Sequence, residues 1–435
     1  MALLHSATTL GALLFGAFCQ RVGYREATAP LHPLHSQPSQ PAAPPCTLPH
    51  MRRPFLLLTL AASLCAAAQQ PAIPLQSHQV NPDGSVTFRY MAPAATKVLV
   101  NSDAFLTPQT MTKGDDGTWT FTTEPLTPQY YSYSFSEDGI TKLDPFNPIT
   151  VQNSDTLPAV YYLGSKVLVP ATPPSPWDPT DVPHGNVDHH FYTTKIVKGL
   201  TRNQSAYVVY TPPGYDAHRK GGYPVLYLLH GWSDVETGWT NDGHANFILD
   251  SLIAAGKAVP MIVVMPLGYG DEDFARHPIS IWGNRALVAS NLDLFTQAFE
   301  TEVVPTVEHE YNIAKGRENH AIAGLSMGGL EALTIGLNHP GQFSWIAGMS
   351  SALVGGTIDE RIPNMTPEAA KKADLRLLWV ACGVSDGLIT PNRNFVAWAK
   401  AKGLPVTAVE TPGRHTFVVW RDNLVHLVPL LFQPK

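Results

Sequence analysis

Five consecutive residues carry the sharpest chemical signal in the chain: Gly324-Leu325-Ser326-Met327-Gly328, with Gly329 directly after them. The string fits G-x-S-x-G. An apolar, strand-like run precedes it, HAIAGL (320–325), and MGGLEALTIGLNHP then opens a helical pattern. The glycines permit a tight strand-to-helix turn, which holds a serine hydroxyl at the top of a sheet beside a helix N-terminus. The chemistry open to such a serine is nucleophilic attack on an acyl carbon.

A serine hydroxyl is a poor nucleophile without a base, and the base needs a carboxylate to orient it. On this kind of turn the chain order is Ser, then Asp or Glu, then His. Three histidines follow Ser326. His339 lies in NHPG at a helix end and reads as a cap. His426 lies within RDNLVHLVPLLF and reads as packed in an apolar terminal helix. His415 lies in TPGRHT, a loop just after a strand, where an imidazole can reach the serine, and it is the favoured base. For the acid, Asp386 in CGVSDG directly follows the apolar strand LRLLWVAC, and strand-end loops hold functional groups in open α/β sheets. Asp359, Glu360 and Asp374 are rivals in the polar stretch before that strand.

A tetrahedral oxyanion needs backbone donors. The Met327 amide is one candidate. The Trp232 amide is the other, in the loop His230-Gly231-Trp232-Ser233 after the strand PVLYLL (224–229). His230 precedes the serine in the chain and reads as a group that fixes this loop. Trp232, Trp239 and Trp345 are aromatic candidates for substrate contact near strand ends, with core packing the competing role for each.

These residues require a particular frame. PVLYLL is a continuous apolar strand, PMIVVMP (260–266) is another buried one, and HAIAGL, FSWIAGMS (343–350), LRLLWVAC (375–382) and PVTAVET (405–411) read as further strands. Helical patterns alternate with them, as in ANFILDSLIAAG (245–256) and NLDLFTQAFETEVVPTVEHEY (291–311). That alternation predicts an α/β fold, a mostly parallel sheet covered on both faces, over residues 186–435. Before it, VTFRY (86–90), KVLVN (97–101), TWTFTT (118–123) and YYSYSF (130–135) are short β-type runs at about ten-residue spacing, set off by Asn-Pro-Asp-Gly and Asp-Gly turns. They predict a small all-β sandwich over 76–165. Tyr130, Tyr131 and Tyr133 alternate imperfectly, so at least one of them is expected to face solvent. Residues 166–185 include VPATPPSPWDPTDVP and read as a Pro-rich linker.

The N-terminal end reads differently. Residues 51–68, MRRPFLLLTLAASLCAAA, have the charged, apolar, small-residue order of a cleaved export signal, so a secreted or periplasmic enzyme is expected. The apolar run is too short for a membrane span of about 20 residues. Met51 is read as the start and residues 1–50 as an upstream extension, against the competing reading of a disordered tail. Cleavage after Ala68 would leave Cys382 as the one cysteine, which excludes a disulfide-stapled module. The chain of 435 residues is 44% hydrophobic and 15% charged, with a net charge of -6. It has the apolar content for a large core, and no basic excess for nucleic acid.

The strings YVVYTPPGYD (207–216), YLLHGW (227–232), AIAGLSMGG (321–329), CGVSD (382–386) and GRHTFVVWRDNL (413–424) resemble carbohydrate esterase family 1 in order along the domain. That family groups feruloyl and acetylxylan esterases of the α/β-hydrolase fold. The resemblance implies Ser326, Asp386 and His415 as the triad, in agreement with the reading from the residues. It also implies a plant cell-wall polysaccharide or oligosaccharide ester as the partner, with feruloyl esters of arabinoxylan first, and acetylxylan or siderophore esters as alternatives. A non-catalytic glycan-binding protein on a hydrolase scaffold is the rival from another class. NPDGSVTFRYMAP, DDGTWT, YYSYSF and DGITKLDPFNP resemble the early-set sandwiches of carbohydrate-binding module family 48, which implies a glycan-binding or purely structural domain. No cofactor is expected. His184, Asp188, His189 and His190 form a small cluster, but adjacent histidines in a strand point to opposite faces, so no metal site is expected.

Overall fold

The computed structural model describes residues 75–150 and 164–434. The segments read as an upstream extension (1–50) and an export signal (51–68) lie outside the described residues.

Two antiparallel sheets form the first layer pair. One joins β1 (His78–Val80), β2 (Val86–Met91), β5 (Thr112–Lys113) and β6 (Thr118–Thr122) in the order β1-β2-β6-β5. The other joins β3 (Val98–Ser102), β4 (Gln109–Thr110), β7 (Gln129–Glu137) and β8 (Ile140–Lys142), with β9 (Ser165–Val169) paired to β7. The inner faces pack Val86, Phe88, Val98, Val100, Tyr133, Phe135 and Val167 into one core. Burial along β7 alternates strictly, with Gln129, Tyr131, Tyr133 and Phe135 inward. Tyr130 is thus turned to the opposite face from Tyr131 and Tyr133. Tyr130 faces neither the sandwich core nor open water; its ring lies 4.2 Å from that of His244 in the second domain. The sandwich also runs past residue 165, because Val167 and Val169 are buried in its core. The stretch read as a linker therefore begins as a strand. Further on, Trp177 is buried in the core of the second domain, so this part is a packed strap.

The second domain is an eight-stranded sheet. Its strands are β10 (Asn186–Thr193), β11 (Gln204–Thr211), β12 (Val225–Leu229), β13 (Ile262–Pro266), β14 (His320–Leu325), β15 (Trp345–Met349), β16 (Leu377–Gly383) and β17 (Val406–Thr411). The order is β10-β11-β13-β12-β14-β15-β16-β17, antiparallel over the first two pairings and parallel over the rest. The five residues of each of β12, β13 and β15 are all buried, as a sheet covered on both faces demands. Helices α1 (Ala245–Ala254), α2 (Arg285–Ala298), α3 (Ser326–Asn338), α4 (Ile389–Lys402) and α5 (Phe417–Leu427) supply the covers. The helix expected over 291–311 contains a π turn at Phe299–Val303, just before Pro305. A wider turn relieves the clash of a proline ring with the carbonyl four residues earlier.

After β12 the chain goes to β13 on one side, while β14 pairs with β12 on the other, with Leu229 opposite Gly324. The strand order thus reverses at β12, and the crevice at the C-terminal ends of β12 and β14 is where such sheets bind ligands.

Candidate active site

Ser326 begins α3 immediately after β14, and its φ is +52°. A non-glycine residue in this left-handed region is strained, and the strain persists only where the surroundings fix it. Gly328 shows what fixes it. A Cβ there would lie 2.5 Å from the carbonyl oxygens of both Leu229 and His230. The helix start therefore sits hard against the end of β12, and the Gly328 amide donates to the His230 carbonyl over 3.0 Å.

The structure brings His415 and Asp386 to this serine. His415 Nε2 lies 2.9 Å from Ser326 Oγ, and His415 Nδ1 lies 2.8 Å from Asp386 Oδ2. Asp386 is buried at the end of β16, and its Oδ1 accepts from the Leu388 amide over 2.8 Å. Burial alone would raise its pKa. The His415 ring and the hydrogen bonds outweigh burial and hold the carboxyl below its ordinary value. An ionised Asp386 is acceptor-only, so His415 donates through Nδ1 and Nε2 is left to accept from the Ser326 hydroxyl. The Trp420 ring meets the imidazole edge-on at 4.8 Å, and its indole nitrogen donates to Ser350 Oγ over 3.1 Å. The other candidates go elsewhere. His339 caps α3, and His426 is exposed on α5, not packed as expected, because it lies on the face turned away from Leu424 and Leu427. Asp359 pairs with Lys402, Glu360 completes a helix capping box, and Asp374 ends a short helix with φ +40°.

The loop after β12 faces Ser326. A Cβ on Gly231 would lie 3.3 Å from Ser326 Cβ and 2.6 Å from Leu325 Cδ1, so only a glycine lets this backbone approach. His230 braces the loop. Its Nδ1 donates to the Gly231 carbonyl over 2.8 Å, and its Nε2 accepts from the Gly268 amide over 2.8 Å. Both bonds need a neutral ring, and burial pushes its pKa down to about 4. Met327 follows the serine at the helix start, and Trp232 follows Gly231 in this loop. The first amides of a helix have no acceptor within it.

The three tryptophans separate. Trp232 packs among Val235, Phe274 and Met327, with its indole nitrogen donating to the Phe274 carbonyl over 3.1 Å. Trp239 is fully buried, donates to the Leu229 carbonyl over 2.9 Å and packs in the main core, so it cannot line a cleft. Trp345 starts β15, at the sheet edge opposite Ser326, and donates to the Glu318 carbonyl over 2.8 Å. Both are corrections to the substrate-contact expectation. The aromatic that sequence reasoning missed is Trp282. It is half-buried and packs on the Trp232 cluster and on the cluster of Leu330, Ala352 and Leu388. Ala352 donates to the Ser326 carbonyl over 2.8 Å and Leu388 donates to Asp386, so this apolar wall adjoins the triad. Trp282 lies in a 3-10 turn, Ile279–Gly283, with no motif to mark it. A separate groove of about 700 Å³, lined by Thr296, Glu300, Thr334, His339 and Arg361, contains none of these side chains.

His184, His189 and His190 diverge to Asp250, Glu236 and Tyr311. Cys382 is buried, and burial pushes its thiol up to about 12.

A family model described as "Putative esterase" matches residues 201–431. An endo-1,4-beta-xylanase/feruloyl esterase of Xylanibacter ruminicola is 31% identical over 369 residues, covering 81% of this chain. The chain spans 46% of that protein's length. Among solved structures, the enterobactin esterase of Shigella flexneri is 19% identical with a TM-score of 0.59, over 80% of this chain and 92% of that one. A CE1 ferulic acid esterase of Anaeromyces mucronatus is 20% identical with a TM-score of 0.50, over 59% of this chain and 93% of that one. At these identities the two structures speak for the fold.

Proposed function

Because the chain belongs to this esterase family and has the fold of a carboxylic-ester hydrolase, we propose that it is a serine esterase acting on acyl esters of plant cell-wall polysaccharide, feruloyl esters of arabinoxylan first. The observation that carries the reading is the pair of contacts at His415, 2.9 Å to Ser326 Oγ and 2.8 Å to Asp386 Oδ2. In the proposed mechanism Ser326 Oγ attacks the ester carbonyl as His415 Nε2 takes its proton. The oxyanion is held by the amides of Met327 and Trp232. His415 then gives the proton to the sugar oxygen as the bond between it and the acyl carbon breaks, so the sugar leaves as an alcohol and the acyl-enzyme remains. Water, deprotonated by the same nitrogen, releases the acid and restores Ser326. The Asp386 carboxylate keeps the reactive tautomer and stabilises the imidazolium.

Support for the substrate class comes from the relative that carries both xylanase and feruloyl esterase in its name. Trp282 and Trp232 beside the triad offer aromatic surface suited to a phenolic acyl group. Export through residues 51–68 fits a polymeric substrate outside the cell. A siderophore ester is the second reading, favoured by the likeness to the enterobactin esterase over a share of the chain larger than the sheet domain alone. The experiment is release of ferulate and of acetate from arabinoxylan by the purified protein, beside hydrolysis of enterobactin, with Ser326→Ala as control. Ferulate release lost in the mutant supports the reading. Acetate release alone moves the protein to acetylxylan, and enterobactin hydrolysis alone refutes the plant-wall assignment. Binding to glycan with no cleavage of p-nitrophenyl acetate would make it a non-catalytic scaffold.

A further inference from the structure

His415 sits on a five-residue segment, 412–416, between β17 and α5. One side of that segment is tied to the Asp386 loop, where Ser385 donates to the Gly413 carbonyl over 2.9 Å and Val384 to the Thr411 carbonyl over 2.9 Å. The other side is tied to the β-sandwich. Arg414, next to His415, reaches across the domain boundary to the carbonyls of Asp103 and Leu106, at 3.3 and 3.4 Å. These two residues lie in the loop between β3 and β4.

Helix α5 starts two residues after His415 and is held from both domains. Val419, Trp420, Leu424 and Leu427 pack into the core of the hydrolase sheet. Val418 packs instead against the core of the sandwich. Arg421 is 3% exposed at the junction. Its Nε donates to Gln129 Oε1 over 2.8 Å, one terminal nitrogen donates to the Tyr130 carbonyl, and the other donates to the Asp242 carbonyl. Gln129 is itself buried and returns a bond of 3.4 Å from Nε2 to the Val418 carbonyl. A second buried cation, Lys166 of β9, pairs with Asp242 over 2.7 Å and donates to the Asn241 carbonyl over 2.6 Å. A buried guanidinium is tolerated only where its donors are met, and here the sandwich meets two of three directions. A module hung on a flexible linker has a wet and polar boundary; at this boundary a guanidinium and an ammonium are buried and bonded across it, Arg421 to Gln129 and Tyr130 and Lys166 to Asp242 and Asn241.

We infer that the sandwich is a positioning element of the hydrolase site: β7, through Gln129 and Tyr130 to Arg421, and the β3–β4 loop, through Arg414, fix the segment that carries His415. Arg421 and Arg414 are positioning residues, since they act through the imidazole and not on the reacting ester. The inference rests on the reading that Ser326 and His415 carry out acyl transfer. It has a consequence that sugar binding by the sandwich would not have. A small ester with no sugar, such as p-nitrophenyl acetate, must sense the junction.

The test uses the full chain with Gln129→Ala, Arg421→Gln, Arg421→Lys and Arg414→Ala, each checked by circular dichroism and counted for active sites with a fluorophosphonate. The expected result for Gln129→Ala and Arg421→Gln is a fall in kcat on p-nitrophenyl acetate of about 10- to 100-fold, the effect of misplacing a base by about 1 Å, with little change in KM. The rate of fluorophosphonate labelling of Ser326 falls in parallel, because it uses the same base. Arg421→Lys keeps the charge without the fork and recovers part of the loss. Wild-type kcat per folded site, with losses confined to KM on arabinoxylan, would overturn the inference. If the Arg421 variants fail to fold, the half-exposed Arg414→Ala decides by the same kcat and labelling readout. Ser326→Ala keeps the two readings apart. Activity surviving in that variant sinks the acyl-transfer reading, whereas a dead Ser326→Ala beside unaltered junction variants sinks this one alone.

Discussion

Replacing Asp386 by Asn changes one atom and should nearly abolish turnover. Asp386 Oδ1 accepts from the Leu388 amide over 2.8 Å, and Oδ2 faces His415 Nδ1 over 2.8 Å. In the Asn variant the Leu388 amide still needs an acceptor, which fixes the side-chain oxygen on that side. The new NH2 then points at His415 Nδ1. Two donors cannot face each other, so Nδ1 gives up its proton and the ring carries it on Nε2, towards Ser326 Oγ. That nitrogen can no longer take the serine proton. The expected loss in kcat is about 10⁴-fold, or roughly 5 kcal/mol of transition-state stabilisation, with the fold retained. The assay is steady-state hydrolysis of p-nitrophenyl acetate at pH 7, with active sites counted by a fluorophosphonate. A variant that is folded and keeps more than about a tenth of wild-type kcat would refute the tautomer argument and return the acid role to another carboxylate.

Gly231→Ala should lower kcat by about 10- to 100-fold without unfolding the chain, because its methyl would stand 3.3 Å from Ser326 Cβ and push the loop after β12 away; steady-state kinetics and a thermal melt check both halves. Trp239→Ala should cost about 3–5 kcal/mol of stability in a urea titration, since a fully buried indole and its bond to Leu229 are lost. Trp282→Ala should raise KM for methyl ferulate more than for p-nitrophenyl acetate, with a smaller loss of stability than Trp239→Ala, and equal effects on both would remove Trp282 from the acyl wall. The stability contributed by His230 and His244 should fall as pH drops from about 6.5 towards 4. Burial lowers the pKa of His230 from 6.5 to about 4 and that of His244 to about 3, so the unfolded chain binds more protons in that window. Their stabilisation is complete above 6.5, and His230 alone stands to lose about 3 kcal/mol by pH 4. A His230→Gln variant whose urea midpoint shifts between pH 7 and pH 5 as much as that of the unchanged protein would show that His230 keeps its ordinary titration in the folded state.

Much of the site was legible because it is written locally. G-x-S-x-G specifies a turn within five residues, and the apolar strand before it fixes which end of the sheet that turn occupies. Asp386 and His415 were legible as polar residues in the loops after strands β16 and β17, which places them at the same end of the sheet as Ser326. His230 was legible as a brace because it precedes the serine in the loop after β12, and its two ring bonds explain how it acts.

Tertiary structure decided what local chemistry leaves degenerate. Tryptophan is the same residue in a core and in a cleft. Trp239 and Trp345 went to the core because the Trp239 indole turns back to the Leu229 carbonyl and because β15 begins, and does not end, at Trp345. Trp282 reached the triad from a turn with no pattern of its own. Val167 and Val169 joined the sandwich because β7 offered them a partner strand, although prolines follow soon after. The junction was equally hidden. Gln129, Tyr130, Arg421 and Asp242 are nearly 300 positions apart at their extremes, and nothing in the sequence announces a buried guanidinium among mostly apolar helical neighbours. A motif is read from the backbone it dictates, whereas a contact between domains exists only once two finished surfaces have met, and that meeting is what sets the far side of the His415 segment.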